Sequence, residues 1–276
     1  MTALGVWDAG PRAWAQTPAP NPNRTVNLNY VYAADLGFGG YSLAGLNASV
    51  YTLPLAYTLP GRLWNGWAVR LLAPVQGGLY IFRATDTNGQ RLSLNQQSLS
   101  VVPGAELQVP LGEQVLLKPF ARAGIVHAFG SGVGNPDAWV YRAGARAIAQ
   151  WHSGAYTYSV GNGVVFAGNR TIGPSFDERY VALQVGGELR RPLGFKIGAW
   201  APDLGLYAGT YYYPEPLVFS RFLRSPLRVA NQGEVAFSIG SANPFQMLGW
   251  SNPRIGVGYV FGDGLDVWHA NFGFPF

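Results

Sequence analysis

The chain has no cysteine and only three histidines in 276 residues. A disulfide scaffold and any cysteine-ligated metal centre are thereby excluded. The missing thiols also suit an oxidising compartment, where a free cysteine is a liability. Charge is scarce too: Asp, Glu, Lys and Arg make up 12% of residues, about half the ordinary share. A soluble β-sandwich or lipocalin-like barrel of this size would need a more heavily charged surface. Long apolar runs are absent as well. The longest charge-free stretches, such as residues 36–61, are studded with Gly, Pro, Asn and Ser, so no membrane-spanning helix is expected. The 37 glycines and 20 prolines argue against a long helical bundle, and 48% hydrophobic residues argue against disorder.

What is present is one large all-β composition, apolar and 14% aromatic. The formal net charge is +5, carried by scattered arginines and two lysines, Lys118 and Lys196. The cations form no patch and no nucleic-acid-binding motif accompanies them, so no nucleic-acid partner is expected.

Apolar positions recur with period two rather than 3.6. Over residues 138–151 one face carries Trp139, Tyr141, Ala143, Ala145, Ala147, Ala149 and Trp151; the other carries Val140, Arg142, Gly144, Arg146, Ile148 and Gln150. Aromatic ends with small apolar residues between them are expected of a lipid-facing strand crossing two interfaces. Over residues 115–127, Val115, Leu117, Ala121, Ala123 and Ile125 oppose Lys118, Phe120, Arg122 and Gly124. Tyr51, Leu53, Leu55, Tyr57 and Leu59 alternate in the same way, as do Ile255, Val257, Tyr259 and Phe261 against Arg254, Gly256 and Gly258. The pattern predicts an all-β fold, a transmembrane antiparallel up-and-down barrel of about twelve strands. The strands are expected near 25–36, 47–58, 65–83, 94–110, 114–128, 138–151, 155–167, 178–190, 196–212, 231–241, 253–262 and 266–276. Bends are expected at Gly77-Gly78 and near Pro202.

Connections after odd strands read as mostly longer and polar, those after even strands as often short, the asymmetry of an outer-membrane barrel. Both termini then lie on the periplasmic side. Ala13-Trp14-Ala15 has the form of a signal-peptidase site. Residues 1–24 therefore read as a signal remnant and flexible lead-in, and 25–276 as the barrel, with no passenger domain.

In the last segment Trp268, Ala270, Phe272, Phe274 and Phe276 share one face. An alternating aromatic face ending in Phe looks like an outer-membrane assembly signal that closes the last strand at the interface. More specific are Val102-Pro103-Gly104-Ala105-Glu106-Leu107, Leu116-Leu117-Lys118-Pro119-Phe120-Ala121, the stretch from Arg254 through Gly264, and the closing Asn271-Phe272-Gly273-Phe274-Pro275-Phe276. From about residue 48 onward the chain resembles the solitary outer-membrane autotransporter-like β-barrel domain family. The resemblance implies a twelve-stranded barrel in the outer membrane of a Gram-negative cell; it does not imply protein secretion, and the family has no established activity to carry over.

On the inward face the alternation puts Glu106, Lys118, Arg122, Arg142, Arg146, Glu188 and Arg190. They could form an ion-pair ladder that fills a narrow barrel, or a basic constriction that favours anions. The enzyme alternative is an outer-membrane lipid hydrolase, a phospholipase or lipid A deacylase, built on His152 or His269. Such sites need a His and a Ser on one strand face. His152 and Ser153 are adjacent and so point to opposite faces, His127 falls on the apolar face, and no Ser accompanies His269-x-Asn271. The expected reading is a structural or narrow pore-type protein, not an enzyme. It would be a monomer with no cofactor or metal. Its partners would be outer-membrane lipid, lipopolysaccharide and the barrel assembly machinery.

Overall fold

A computed structural model describes residues 38–43, 46–63, 66–85, 91–131, 137–173, 177–219, 227–243, 246–247, 250–251, 254–263, 265–272 and 275–276. They form a closed antiparallel barrel of twelve strands. The strands are β1 (Phe38–Leu43), β2 (Leu46–Leu53 and Ala56–Thr58), β3 (Ala68–Leu72 and Val75–Thr85) and β4 (Arg91–Val101 and Gly104–Pro110). Next come β5 (Val115–Ser131), β6 (Ala138–Ser153), β7 (Tyr156–Thr171) and β8 (Asp177–Pro192). The last four are β9 (Pro202–Phe219), β10 (Leu227–Ser241), β11 (Ile255–Gly262) and β12 (Leu265–Asn271). Each strand pairs with its sequence neighbours, and β12 returns to β1 with Phe38 opposite Ala270 and Leu43 opposite Leu265. That last pairing abolishes both sheet edges, as closure in a lipid phase requires.

The expected face assignment holds. Trp139, Tyr141 and Trp151 are exposed on the outside of β6, while Ala138 and Val140 are fully covered inside. On β8 the outward row from Arg179 to Arg191 reads Val181, Leu183, Val185, Gly187 and Leu189, an apolar band with a charge only at each end. Aromatic rims flank the band. Trp151 stacks on Tyr158 at 5.8 Å near one end, and Tyr141 meets Phe166 at 5.9 Å near the other. Tyr141 and Trp151 are about 34 Å apart along an extended strand, or about 26 Å after a tilt near 40°, close to the apolar height of a membrane barrel.

Several expectations are corrected. The first described strand, Phe38–Leu43, lies inside a segment expected to be a loop, and the expected 25–36 strand lies outside the described residues. The interruption in β3 falls at Ala73-Pro74, while Gly77-Gly78 pair regularly with Leu99 and Ser98. Pro54 and Pro103 interrupt β2 and β4 beside it. Proline has no N–H to give a ladder, so three adjacent strands break along one crease. The register is unchanged across it: Leu53 faces Val75 before the break and Ala56 faces Leu72 after it. In β9 the irregularity sits between Tyr212 and Leu217, and Pro202 starts the strand instead of bending it. Connection length does not alternate as expected, because β5, β7 and β9 run on into segments read as loops, while the connections at 59–67, 193–201 and 242–254 are long.

The interior is divided along its axis. Toward the end where odd-numbered strands finish, here the distal end, the lumen is packed with an apolar core. Val50, Tyr80, Val126, Val140, Val165, Tyr180, Tyr213, Val229 and Val267 are all buried within it. Tyr180 and Tyr213 meet edge to face at 5.8 Å. Toward the proximal end the inward positions are charged.

Candidate functional site in the barrel lumen

Inward side chains form transverse rows, because antiparallel partners share a face. One row runs Arg70, Glu106, Phe120, Gly144 across β3, β4, β5 and β6. The row on one side of it places Arg122 directly opposite Arg142; on the other side Lys118 lies directly opposite Arg146. Three guanidinium groups thus surround one buried aromatic ring. The guanidinium carbons of Arg122, Arg142 and Arg146 lie 5.6, 5.6 and 4.8 Å from the Phe120 centroid, a cation–π arrangement. Glycines make the room. A Cβ on Gly144 would come within 3.2 Å of Phe120 Cε1, and one on Gly104 would collide with the Arg122 stem. Arg70 is the closest counter-charge to Glu106, at 3.9 Å, and Gln108 Nε2 donates to the same carboxylate at 3.3 Å. A cavity of about 180 Å³ opens here, lined by Arg70, Glu106, Phe120, Arg122, Arg146 and the crease residues Pro54 and Pro74.

The facing wall is organised differently. Arg254 joins Asp203 at 2.8 Å and Glu188 at 3.7 Å, and Arg190 lies 3.4 Å from Glu188. Glu234 lies 3.0 Å from His269 Nε2 and accepts from Tyr211 at 2.7 Å. Acids and bases alternate here as a ladder, whereas the β3–β6 wall carries Arg70, Lys118, Arg122, Arg142 and Arg146 against Glu106.

The seven expected lumen residues are therefore all inward, but in two groups: Glu106, Lys118, Arg122, Arg142 and Arg146 around Phe120, and Glu188 with Arg190 in the ladder. Arg254 is on the inward face, as its alternation with Ile255 and Val257 predicts; Arg70, Asp203 and Glu234 are further inward charges that the sequence reading does not name. Each obeys the same period-two parity, which would have found them.

The assembly segment is only partly as expected. Trp268, 64% exposed, and Phe272 face outward, while Phe274 lies outside the described residues. Phe276 is a correction. It does not end the last strand on the lipid side. β12 stops at Asn271, and Phe276 is 4% exposed inside the lumen, beside Tyr207 and Ala236. Its ring occupies the space over Gly161 and Gly186 on β7 and β8, and Lys118 Nζ donates to its main-chain oxygen at 2.7 Å. Bare glycine backbone provides a flat apolar shelf for the ring, which explains its turn inward. Phe276 thus lies inside the lumen against the β7–β8 wall.

Of the histidines, His269 Nε2 lies 3.0 Å from the Glu234 carboxylate, His127 lies on the outer face beside Asp137, and His152 is exposed near the end of β6.

No family model matches the chain, and no curated protein matches it in sequence. Among solved structures, the translocator domain of the autotransporter NalP from Neisseria meningitidis is similar in fold. The TM-score is 0.60 at 14% identity, covering 84% of this chain and 82% of that one.

Proposed function

We propose that this chain is an outer-membrane β-barrel of structural or narrow-pore type, with a filled lumen and no catalytic role. The observation that carries the reading is the apolar core packed across the distal lumen. Phe276 and the ion-pair ladder add to the filling on the proximal side. The outward apolar band between aromatic rims supports a bilayer location, and likeness to an autotransporter translocator supports the outer membrane. That neighbour is a translocator; this lumen, occupied by its own side chains, argues against passage of a polypeptide here. Trp268 and Phe272 remain the outward anchors for barrel assembly, and Phe276 serves instead as lumen filling.

The test is conductance of the purified barrel in planar bilayers. The expected outcome is no porin-like step, with any residual current small and weakly anion-selective. A wide, stable channel or clear cation selectivity would overturn the reading.

A further inference from the structure

The apolar outer row of β8 does not stop where the bilayer band stops. Past Arg191 the same outward parity carries Leu193, Phe195 and Ile197 into the 193–201 connection at the proximal end. All three are exposed, Phe195 by 52% and Ile197 by 60%. Backbone bonds fix the segment. The Leu193 N–H donates to the Pro202 carbonyl at 2.9 Å, adding a rung to the β8–β9 ladder, and Ile197 and Trp200 exchange both backbone bonds at 2.8 and 3.1 Å. Gly198 supplies the left-handed φ of 61° inside that two-residue turn. The Trp200 indole N–H donates to the Gly240 carbonyl at 3.0 Å and ties the hairpin to β10. Single exposed apolar side chains are ordinary, but three on one face of a fixed hairpin mark an interaction surface. Cations accompany them. Lys196 stands exposed between Phe195 and Ile197, and the exposed Arg191 guanidinium lies over the Tyr156 ring at 5.5 Å. Six strands round the ring of twelve, the 59–67 connection repeats the composition, with Leu59 and Leu63 exposed beside Arg62. Glu113 is the only acid among the described residues of the proximal connections. We propose that the 193–200 hairpin is an interfacial anchor that docks on anionic phospholipid at the proximal membrane surface, with the 59–63 segment as its counterpart on the opposite side of the barrel.

This anchor rests on the membrane-barrel reading above and adds the lipid class and the residues that meet it. Leu193 is two residues past Arg191, about 5 Å along the membrane normal for a strand tilted near 40°. The headgroup layer is about 5–8 Å deep on each side of the hydrocarbon, so Leu193 lies within it. Beyond it Gly194, with a φ of 81°, breaks the extended course of the strand. The apolar row is thus continuous with the lipid-facing band, and its cations stand at headgroup depth. That combination matches acyl chains beneath a layer of phosphates. A second copy of the chain fits less well, because pairing the two faces would set Arg191 and Lys196 of one copy against the same cations of the other.

The experiment uses a bimane dye on a single cysteine, Ile197→Cys or, in the middle of the band, Val185→Cys. Each barrel is reconstituted into mixed vesicles of phosphatidylcholine and phosphatidylglycerol, with a nitroxide quencher on the upper acyl chain of one lipid or the other. Both dyes should be quenched. At position 185 the two lipids should quench alike. At position 197 phosphatidylglycerol should quench more than phosphatidylcholine by about fivefold, the scale of one cation at an anionic surface. Lys196→Gln should remove most of that preference, and high salt should lower it in the parent. Unheated gel mobility shows that the variant is folded; if it is not, the salt comparison carries the test. A dye at 197 that neither lipid quenches while the dye at 185 is quenched would overturn the proposal, as would equal quenching by both lipids at 197. Self-quenching at 197 that rises with the protein-to-lipid ratio, without quenching by lipid, would overturn it in favour of a second copy. A dye at 185 that neither lipid quenches would instead refute the barrel reading itself.

Discussion

Ala145 is the sharpest point at which to perturb the barrel. It lies on the outward face of β6, opposite Pro119 on β5 and Val164 on β7. At 3.4 Å per residue and a tilt near 40°, it sits about 10 Å from the level of Tyr141 and about 16 Å from that of Trp151, close to the middle of the apolar band. Arginine at the midplane of a membrane barrel costs about 2–4 kcal/mol, which is roughly 30- to 700-fold in the folding equilibrium. Ala145→Arg should lose folded fraction on that scale. Val164→Arg, at the facing outward position and 45% exposed, should do the same. Arg142→Gln is one position class away, on the inner face, and should still assemble. The assay is urea titration of folding into phosphatidylcholine vesicles, followed by tryptophan fluorescence and unheated gel mobility. If Ala145→Arg folds like the parent while Arg142→Gln fails, the two faces have been exchanged and the reasoning is wrong.

Arg254→Leu should be among the most damaging lumen changes, costing about 3–5 kcal/mol, because it leaves the buried Asp203 and Glu188 carboxylates without their shared cation; the same urea titration reads it. Phe276→Ala should leave the barrel folded but raise any residual conductance in planar bilayers, whereas Trp268→Asp, on the outer face, should lower the folded yield. At the β11–β12 turn the Asp263 carboxylate accepts from the Ala230 and Asn231 amides at 2.7 and 2.9 Å, and these bonds hold its pKa below the usual carboxylate value. A lowered folded-state pKa stabilises the turn above the unfolded value, and that stability is lost as pH falls through the lower folded value. Hydrogen exchange at Ala230 and Asn231 should therefore speed up in acid beyond its intrinsic pH trend in the parent, and less so in Asp263→Asn.

The alternation along residues 115–127 and 138–151 was enough to read the barrel and its two faces, because lipid outside and side chains inside impose opposite chemistry on successive residues. The bends were not legible that way. Alternation continues unbroken across the crease, and what marks it is the missing N–H of Pro54, Pro74 and Pro103, a hydrogen-bonding signal rather than a hydropathy one. The distal core escaped notice for a related reason. Val140 and Val165 are apolar on both counts, and a period-two pattern cannot distinguish an apolar residue that fills a lumen from a chance one. Phe276 has the parity of Trp268 but not its face, since parity holds only while the strand does, and β12 ends at Asn271. The lumen charges were legible individually. Their division into a balanced ladder and a cationic wall depends on which strands neighbour one another and in what register, and so appears only once β5 and β6 are paired residue by residue.

The measurement that tests the barrel assignment most directly is a spin-label scan along β8, made simple by the absence of native cysteine. Single cysteines at positions 180 to 185 would be labelled in membrane-reconstituted protein, and collision with oxygen compared with collision with a water-soluble nickel chelate. The account predicts strict alternation. Labels replacing Val181, Leu183 and Val185, which are exposed on the outer face, should be rich in oxygen contact and poor in chelate contact. Labels replacing Tyr180, Ala182 and Gln184 should be immobile and shielded from oxygen in the filled lumen. Uniform access of the chelate to the outward positions, or alternation with the opposite parity, would contradict it.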